Sequence, residues 1–502
     1  MVNGRGKSDS PVVPVKLPNK VAHAAAEAME GRGLAKGNPP KSNTSRTQDR
    51  QDVPSAIERI RQAAQRDEKI RFTTLLHHVY DIPRLRTAYL AIRHDAAAGV
   101  DGVTWKEYGL TLEENLRDLS GRLQRGGYRA KPTKRVHIPK ADGKLRALGI
   151  PALEDKIVQR AMAEVLNAIY EVDFLGFSYG FRRERSMHDA LDALSVGLMK
   201  KKVNWVLDAD IRSFYDTLNQ EWLLKFVEHR VADKRVVRLI RKWLSAGVLE
   251  DGEHRRSDVG TVQGGSISPL LSNIYMHYVF DLWSHQWRNR NAHGDVVVVR
   301  YADDFVVGFE HREEAERFLA ELRERFARFG LELHPDKTRL IPFGRKAAKD
   351  WRDGDGDKPG TFNFLGFTHS CGKTRKGWFT VLRRTVHKRL QAKLREVHQD
   401  LRKRLHDPIP NVGAWLRSVL AGHFRYYGVP FNGPALTQFR HAVAWLWWKT
   451  LRRRSQTGRV TWERMQRLID RWFPPASVCH PYPLTRFANR YAVTTQGKSR
   501  MR

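Results

Sequence analysis

The sequence predicts an α+β fold, on three observations. Strand-like and helical periods alternate through the centre of the chain, a compact hairpin signature precedes that centre, and a strongly basic stretch of mainly helical character follows it. At 502 residues the chain exceeds one compact core, so two or three domains are expected.

Residues 1 to about 50 are rich in Gly, Pro, Ser, Asn and Lys without a sustained period, which marks a flexible basic leader. Within it, Gly31-Arg32-Gly33-Leu34-Ala35-Lys36-Gly37 has the wrong spacing for a phosphate loop and no preceding strand. Helical intervals begin near Pro54 with Ile57, Ile60 and Ala64, and return at Leu75, Leu76 and Val79. From Arg135, two extended segments, Val136 to Pro139 and Leu145 to Ile150, are joined through Asp142-Gly143, a hairpin signature. Helices are expected from about Leu153 to Tyr170 and from about Met187 to Lys201.

In the centre, Trp205 to Ile211 reads as a strand, Gln220 to His229 and Arg235 to Ser245 as helices, and Ser268 to about Trp287 as one long helix. Val296 to Tyr301 and Phe305 to Phe309 are β-rich runs around Ala302-Asp303-Asp304, which puts the acidic pair on a tight turn. A charged helix from His311 to Phe329 precedes short strands near Leu331 to His334, Thr338 to Pro342 and Phe362 to Thr368. The run Asp353-Gly354-Asp355-Gly356-Asp357 has Lys358 and Phe364 where a calcium loop needs glycine and glutamate, so it reads as a solvated loop.

Lys and Arg total 89 against 55 Asp and Glu, a formal charge of +34. The excess is uneven: Lys373 to Arg502 holds 28 basic and 5 acidic residues, or +23 of the total, which points to a polyanionic partner rather than a generally solvated surface. No apolar run approaches the ~18–20 residues that span a bilayer, and the N-terminus lacks the apolar core of a signal peptide. Cys371 and Cys479 fit neither a disulfide framework nor a cysteine zinc site, and an intracellular, reduced protein is expected.

Nucleotidyl transfer uses two divalent cations ~3.5–4 Å apart, one activating the attacking hydroxyl and one holding the leaving pyrophosphate. Magnesium prefers oxygen ligands, so a few carboxylates must converge. Asp210 near the end of one strand and Asp303-Asp304 on a neighbouring hairpin turn would meet that need if the strands pair side by side, although a lone Asp-Asp turn is usually structural.

Tyr301-Ala302-Asp303-Asp304 between apolar strands resembles the signature box of reverse transcriptases, and further boxes follow in family order. Asp210 to Asp216 resembles the first catalytic block, and Gln263-Gly264-Gly265-Ser266-Ile267-Ser268-Pro269-Leu270-Leu271-Ser272-Asn273 the template-contacting block. Ile138-Pro139-Lys140 and Arg146 to Pro151 resemble the fingers blocks of group II intron enzymes, while Leu333 to Thr338 and Phe364 to Phe367 match the blocks closing the palm. The resemblance covers roughly residues 70 to 370 and implies a right-hand polymerase, fingers and palm, followed by an α-helical thumb/maturase domain. It divides the chain into a leader at 1–55, N-terminal extension and fingers at 56–200, palm at 201–372, thumb/maturase domain at 373–475 and a basic tail at 476–502.

The resemblance also implies roles. Asp210, Asp303 and Asp304, with Ile211 beside them, would bind two Mg2+ ions, Mn2+ being able to substitute, and Lys337 would protonate or neutralise the leaving pyrophosphate. Lys140 and Arg146 would clamp the incoming dNTP, with Gln263, Phe214 and Tyr215 in the same pocket; Tyr215 is the preferred gate against a ribose 2′ hydroxyl. Template and primer would meet Gly264, Gly265, Tyr301, Ala302, Leu365 and Gly366. Val262 and Ala147 stand where the family commonly has proline, from which altered rigidity rather than lost activity is expected.

The C-terminal region alternates basic clusters with aromatics, as in Arg402-Lys403-Arg404, Phe424-Arg425-Tyr426-Tyr427, Trp445-Leu446-Trp447-Trp448-Lys449 and Arg452-Arg453-Arg454. Basic groups would track RNA phosphates and exposed rings could stack on bases, though most of the tryptophans are expected in the core because Trp445 and Trp448 share a helical face. Ala421 to Gly428 and His480-Pro481-Tyr482-Pro483 resemble the maturase domain of bacterial group II intron proteins. An HNH endonuclease domain is expected to be missing. Group II intron RNA, a DNA target and primer, and dNTPs are the partners implied, with no membrane, in a bacterial cytoplasm and at the nucleoid when bound to DNA. Two other functions compete: a domesticated reverse transcriptase serving defence or diversification, and a splicing factor whose polymerase site is vestigial.

Overall fold

The computed structural model describes residues 52–139, 145–250, 253–255, 260–261, 264–454 and 460–488. Most of the leader, Lys140, the Asp142-Gly143 turn, Val262, Gln263 and the end of the basic tail lie outside these residues.

The α+β expectation is met. The central sheet has the order β6-β7-β3-β8, from β3 (Trp205–Ala209), β6 (Val296–Tyr301), β7 (Asp304–Phe309) and β8 (Arg339–Pro342). Both of its faces are covered, which explains the uninterrupted Val296 to Val299 run. Leu207, Val298, Phe305 and Val307 face one core, shared with the Leu153–Asp173 and Ser268–Met276 helices. Val206, Val297, Val299 and Val306 face a second core, closed by the Met187–Lys200 helix. Ser186 starts that helix with a capping box to Asp189, and Gly197 lets it approach Val297 where a Cβ would come within 2.6 Å.

The expected hairpin is β1 (Thr133–Pro139) against β2 (Leu145–Ile150), antiparallel with Ile138 opposite Arg146. Two short strands that the sequence did not suggest, β4 (Val248–Glu250) and β5 (Glu253–Arg255), extend it to a sheet of order β2-β1-β4-β5. Helices Asp52–Arg66, Leu76–Tyr80, Ile82–Leu90 and Leu112–Gln124 gather beside Leu153–Asp173, so the first core runs from Ile60 to Leu333 and joins the expected fingers and palm.

Four expectations need correction. The long helix from Ser268 contains a π turn at His277–Asp281 and continues as Leu282–Asn291. Leu331 to His334 is not a strand but a single bridge, Ile211 to Leu333. Phe362 to Thr368 is broken by Leu365 and Gly366, whose φ values of +47° and +84° turn the chain between β9 (Phe362–Phe364) and β10 (Phe367–Lys373). Beyond Lys373 the chain first returns as β11 (Phe379–Thr385), paired along all of β10, so the division at 372/373 cuts a hairpin and the helices begin at His387. Short, charge-rich strands carry little periodic signal, and β11 contains two arginines.

Helices His387–Lys403, Ile409–Tyr427, Gly433–Arg452 and Trp462–Trp472 form a third core. Its tryptophan assignment differs from expectation: Trp447 is fully buried on the stripe Leu436, Phe439, Val443 and Leu451, whereas Trp445 is 47% exposed with the Lys449 ammonium 3.5 Å from its ring.

Candidate active site

Strand register sets the backbone of the first sequence-predicted carboxylate beside the turn that carries the other two. β3 and β7 pair antiparallel with Ala209 opposite Phe305, so Asp210 emerges beside the turn on which Tyr301 pairs with Asp304. The turn needs Ala302 at φ +59°, an uncommon conformation for a residue with a side chain. Its surroundings hold it there. Gly180 runs so close that a Cβ would lie 2.2 Å from the Ala302 nitrogen, and the Ala302 carbonyl accepts a hydrogen bond of 2.7 Å from Arg300.

Arg300 is fully buried and donates to both Asp281 oxygens at 2.6 Å, to Asn273 at 3.1 Å and to Ser178 at 2.7 Å. Asn273 in turn donates to the Gly180 carbonyl at 2.6 Å. The template-contacting block thus ends in a residue that braces the Asp303-Asp304 turn from behind. Arg300 and Asp281 are contributors that the sequence reading missed; only the position of Arg300 directly before Tyr301 hinted at the first.

On the other side, the His334 amide donates to the Asp210 carbonyl and the Arg212 amide to the Glu332 carbonyl, each at 2.8 Å. These bonds flank Ile211 and leave its own carbonyl outside the pairing. Lys337 Nζ donates to Asp210 Oδ2 at 2.5 Å. Among the described residues no three His, Cys, Asp or Glu side chains converge closely enough to hold an ion. The electrostatics nevertheless suit one. Part of the Asp304 residue reaches solvent, yet the surrounding protein desolvates its carboxyl, and with Asp303 and Asp210 nearby this pushes it up to about 7. Asp208, unanticipated and paired with Arg339 at 3.2 Å, is raised by burial and by Asp210. A hard cation would relieve the charge crowding at Asp304, and oxygen donors of this kind are the ones a divalent metal prefers.

Phe214 is buried and edge-on to Tyr275, while Tyr215 is only half-buried; both follow Ser213, which turns the chain at φ +47°. Gly264, at φ +120°, packs where a Cβ would lie 2.5 Å from the Gly149 carbonyl, bringing the template-contacting block against β2 of the hairpin that carries Arg146. Leu365 and Gly366 are held from the helical region: Tyr426 donates to the Leu365 carbonyl at 2.7 Å, and Arg389 and Tyr427 crowd Gly366. Arg389 also partly offsets the negative charge around Asp304, a connection the sequence did not signal.

The predicted RNA-binding cations all belong to the helices from His387 onward and the residues that follow them. Arg402 and Lys403 are exposed near the end of the His387–Lys403 helix, Arg404 stacks 4.9 Å from Trp415, and Arg425 is exposed on the Ile409–Tyr427 helix. Arg452 and Arg453 are exposed, Arg452 stacking 4.8 Å from Trp448, and Arg454 is half-buried. Among the described residues no helix is long and apolar enough to cross a membrane.

Residues 138–369 match the family model for reverse transcriptase (RNA-dependent DNA polymerase), and the sequence blocks from Ile138 to Phe367 fall within them. This region is thus similar to reverse transcriptase domains, which are metal-dependent nucleotidyltransferases. The chain is similar to Protein YkfC of Escherichia coli, 39% identical over 238 residues that cover 42% of this chain and 62% of that protein. It is also similar to the group II intron-encoded protein LtrA of Lactococcus lactis, 32% identical over 222 residues covering 44% and 37%. Nuclear intron maturase 4 of Arabidopsis thaliana is 26% identical over 220 residues, covering 43% and 26%. Over less than half of its length the chain is thus similar to group II intron-encoded and intron maturase proteins, and it spans less than two thirds of the length of these curated relatives.

Proposed function

We propose that the chain is an RNA-directed DNA polymerase and maturase that binds group II intron RNA, assists its splicing and reverse-transcribes it during retrohoming. The observation that carries the polymerase reading is the register that sets Asp210 beside the Asp303-Asp304 turn. In this reading Asp210, Asp303, Asp304 and the Ile211 carbonyl would hold two Mg2+ ions, which when bound would supply activation of a primer 3′ hydroxyl and neutralisation of the pyrophosphate charge. Lys140 and Arg146 neutralise the dNTP triphosphate, with Gln263 beside the nucleotide. The half-buried Tyr215 ring occupies the space of a 2′ hydroxyl, which the core-packed Phe214 is less suited to do. Gly264, Gly265, Tyr301 and Ala302 back the template-primer end, and Leu365 and Gly366 support the primer strand. Lys337 protonates or neutralises the pyrophosphate.

The maturase part is supported by the intron-encoded relatives and by the exposed cations of the helical region, Arg402, Lys403, Arg425, Arg452 and Arg453, joined by Arg404 and Arg454. The test is extension of a DNA primer on an RNA template with Mg2+ and dNTPs. Asp303→Ala should abolish synthesis while RNA binding largely survives, and undiminished synthesis would remove the proposed site.

A further inference from the structure

The β10–β11 turn builds an open recess of about 470 Å³, lined among others by Lys200, Arg345, Arg375, Lys376, Trp378 and Tyr482. Its chemistry is one-sided. Lys200, Arg345, Arg375 and Lys376 line it with no acidic residue, all four are exposed, and among the described residues none of them pairs with a carboxylate. Trp378 is 72% exposed, the most exposed tryptophan among the described residues, and its ring has no aromatic or cationic partner there.

The walls are fixed from within. The Thr374 amide donates to the Trp378 carbonyl at 2.8 Å, the Trp378 amide to the Thr374 hydroxyl at 3.2 Å, and Gly377 takes φ +80°. Tyr482 shares a 2.8 Å hydrogen bond with Thr380, and Arg345 donates to the Met199 carbonyl while stacking 5.9 Å from Phe379. A tight, cross-braced turn that holds an indole in water leaves a large apolar face exposed, and a packed fold gains nothing from that face by itself. The recess lies at the end of β10 opposite to Gly366. At ~3.3 Å per residue it is about 20 Å along the strand from the turn that meets Arg389 and Tyr427.

We propose that this recess captures an unpaired nucleotide of RNA, its base stacked on Trp378 and its flanking phosphates held by Arg375, Lys376, Lys200 and Arg345. The inference rests on the RNA-binding function proposed above and adds a second docking point, built from the β10–β11 turn, Lys200, Arg345 and the segment at Tyr482 and containing none of the helical-region cations named above. Cations with no acidic neighbour select phosphate, and a rigid exposed indole accepts a base face whatever its identity, so single-stranded RNA fits better than a duplex, whose bases are already stacked. A protein partner would be expected to answer this many cations with carboxylates and to bury the indole edge in an apolar patch; the recess offers one ring in a basic rim.

The experiment uses the full chain with a short single-stranded oligoribonucleotide containing 4-thiouridine, photocross-linked and mapped by mass spectrometry, beside direct binding of the same oligonucleotide and of a blunt RNA duplex. A cross-link is expected on the peptide spanning Arg375 to Phe379. Trp378→Ala should remove that cross-link and weaken single-strand binding about 5- to 10-fold, with Trp378→Phe restoring most of both and duplex binding unchanged. Arg375→Ala with Lys376→Ala should reduce the slope of log affinity against log salt by roughly 1.4. Cross-links mapping only elsewhere, or a Trp378→Ala chain that binds single strands like the parent, would overturn the proposal and leave the recess to a protein. Primer extension is run on the same chains. Loss of synthesis in the parent would strike the polymerase reading alone, and unchanged synthesis by the variants verifies that they fold.

Discussion

Arg300 and Asp281 face each other as a fully buried, two-pronged ion pair with both contacts at 2.6 Å, and the same guanidinium donates to the carbonyl of Ala302. Asp281 ends the π turn, Arg300 belongs to β6, and Ala302 is the residue of unusual φ in the Asp303-Asp304 turn. Removing one partner leaves a buried charge without its counterpart. Asp281→Ala should therefore cost about 3–5 kcal/mol, read as a lower urea midpoint, whereas the double change Asp281→Leu with Arg300→Leu should recover much of that loss. Because the double variant still lacks the bond to Ala302, its DNA synthesis should remain well below the parent's. Full recovery of synthesis would show that the turn stands without Arg300.

Lys337 occupies Asp210 at 2.5 Å, and a proton donor in that position should matter to chemistry more than to binding. Lys337→Gln is expected to slow single-nucleotide incorporation about 100-fold while primer-template affinity stays within about twofold. Rapid-quench kinetics separates the two quantities, and an unchanged incorporation rate would exclude Lys337 from the reaction.

Tyr215 is half-buried where Phe214 is part of the core against Tyr275. Tyr215→Ala should admit ribonucleotides more readily, by about 10-fold in the ratio of incorporation efficiencies, because the ring no longer fills the space of a 2′ hydroxyl. Phe214→Ala should instead lower stability, by about 3–5 kcal/mol for a buried ring. A selectivity change confined to Phe214→Ala would move the gate by one residue.

His369 lies fully buried in β10, stacked at 4.9 Å on Phe362; burial first, and Arg383 second, push it down to about 3 from its ordinary 6.5. Between those values the unfolded chain binds a proton that the folded chain refuses. Stability is therefore unaffected by this group above pH 6.5 and falls as pH drops from 6.5 toward 3, the loss amounting to about 2 kcal/mol by pH 5. His188, pushed down to about 3 by burial and by His480, acts in the same direction. His369→Phe should make the urea midpoint fall less between pH 7.5 and pH 5 than it does in the parent; parallel curves would refute the assignment.

Arg452, Arg453 and Arg454 end the Gly433–Arg452 helix and its first following residues, two of them exposed. Replacing all three by Ala should weaken intron RNA binding and flatten its salt dependence, with a slope change of roughly 2 to 3, while extension on a generic primed template suffers less. Equal affinity of the parent chain for cognate intron and unrelated RNA at every salt concentration would defeat the maturase reading.

The sequence by itself determined much of the order of elements and the mixed α+β class, and it singled out the three carboxylates proposed for the site, because alternation of apolar residues and short motifs are local properties written in consecutive positions. Val296 to Val299 predicted a strand, and the acidic pair between two β-rich runs predicted a tight turn. Tertiary structure alone decided what acts across distance. It brought Asp281 to Arg300 through a π turn that no helical period announces, and Arg389 and Tyr426 to the Leu365-Gly366 turn from 24 and 61 residues away. It also chose Trp447 over Trp445 for the core, since the burial of a helix face depends on which neighbour covers it. The hairpin through β11 escaped the sequence reading for the same reason: strand pairing is a relation between segments, and a strand whose residues are partly charged becomes one only when its partner supplies the hydrogen bonds.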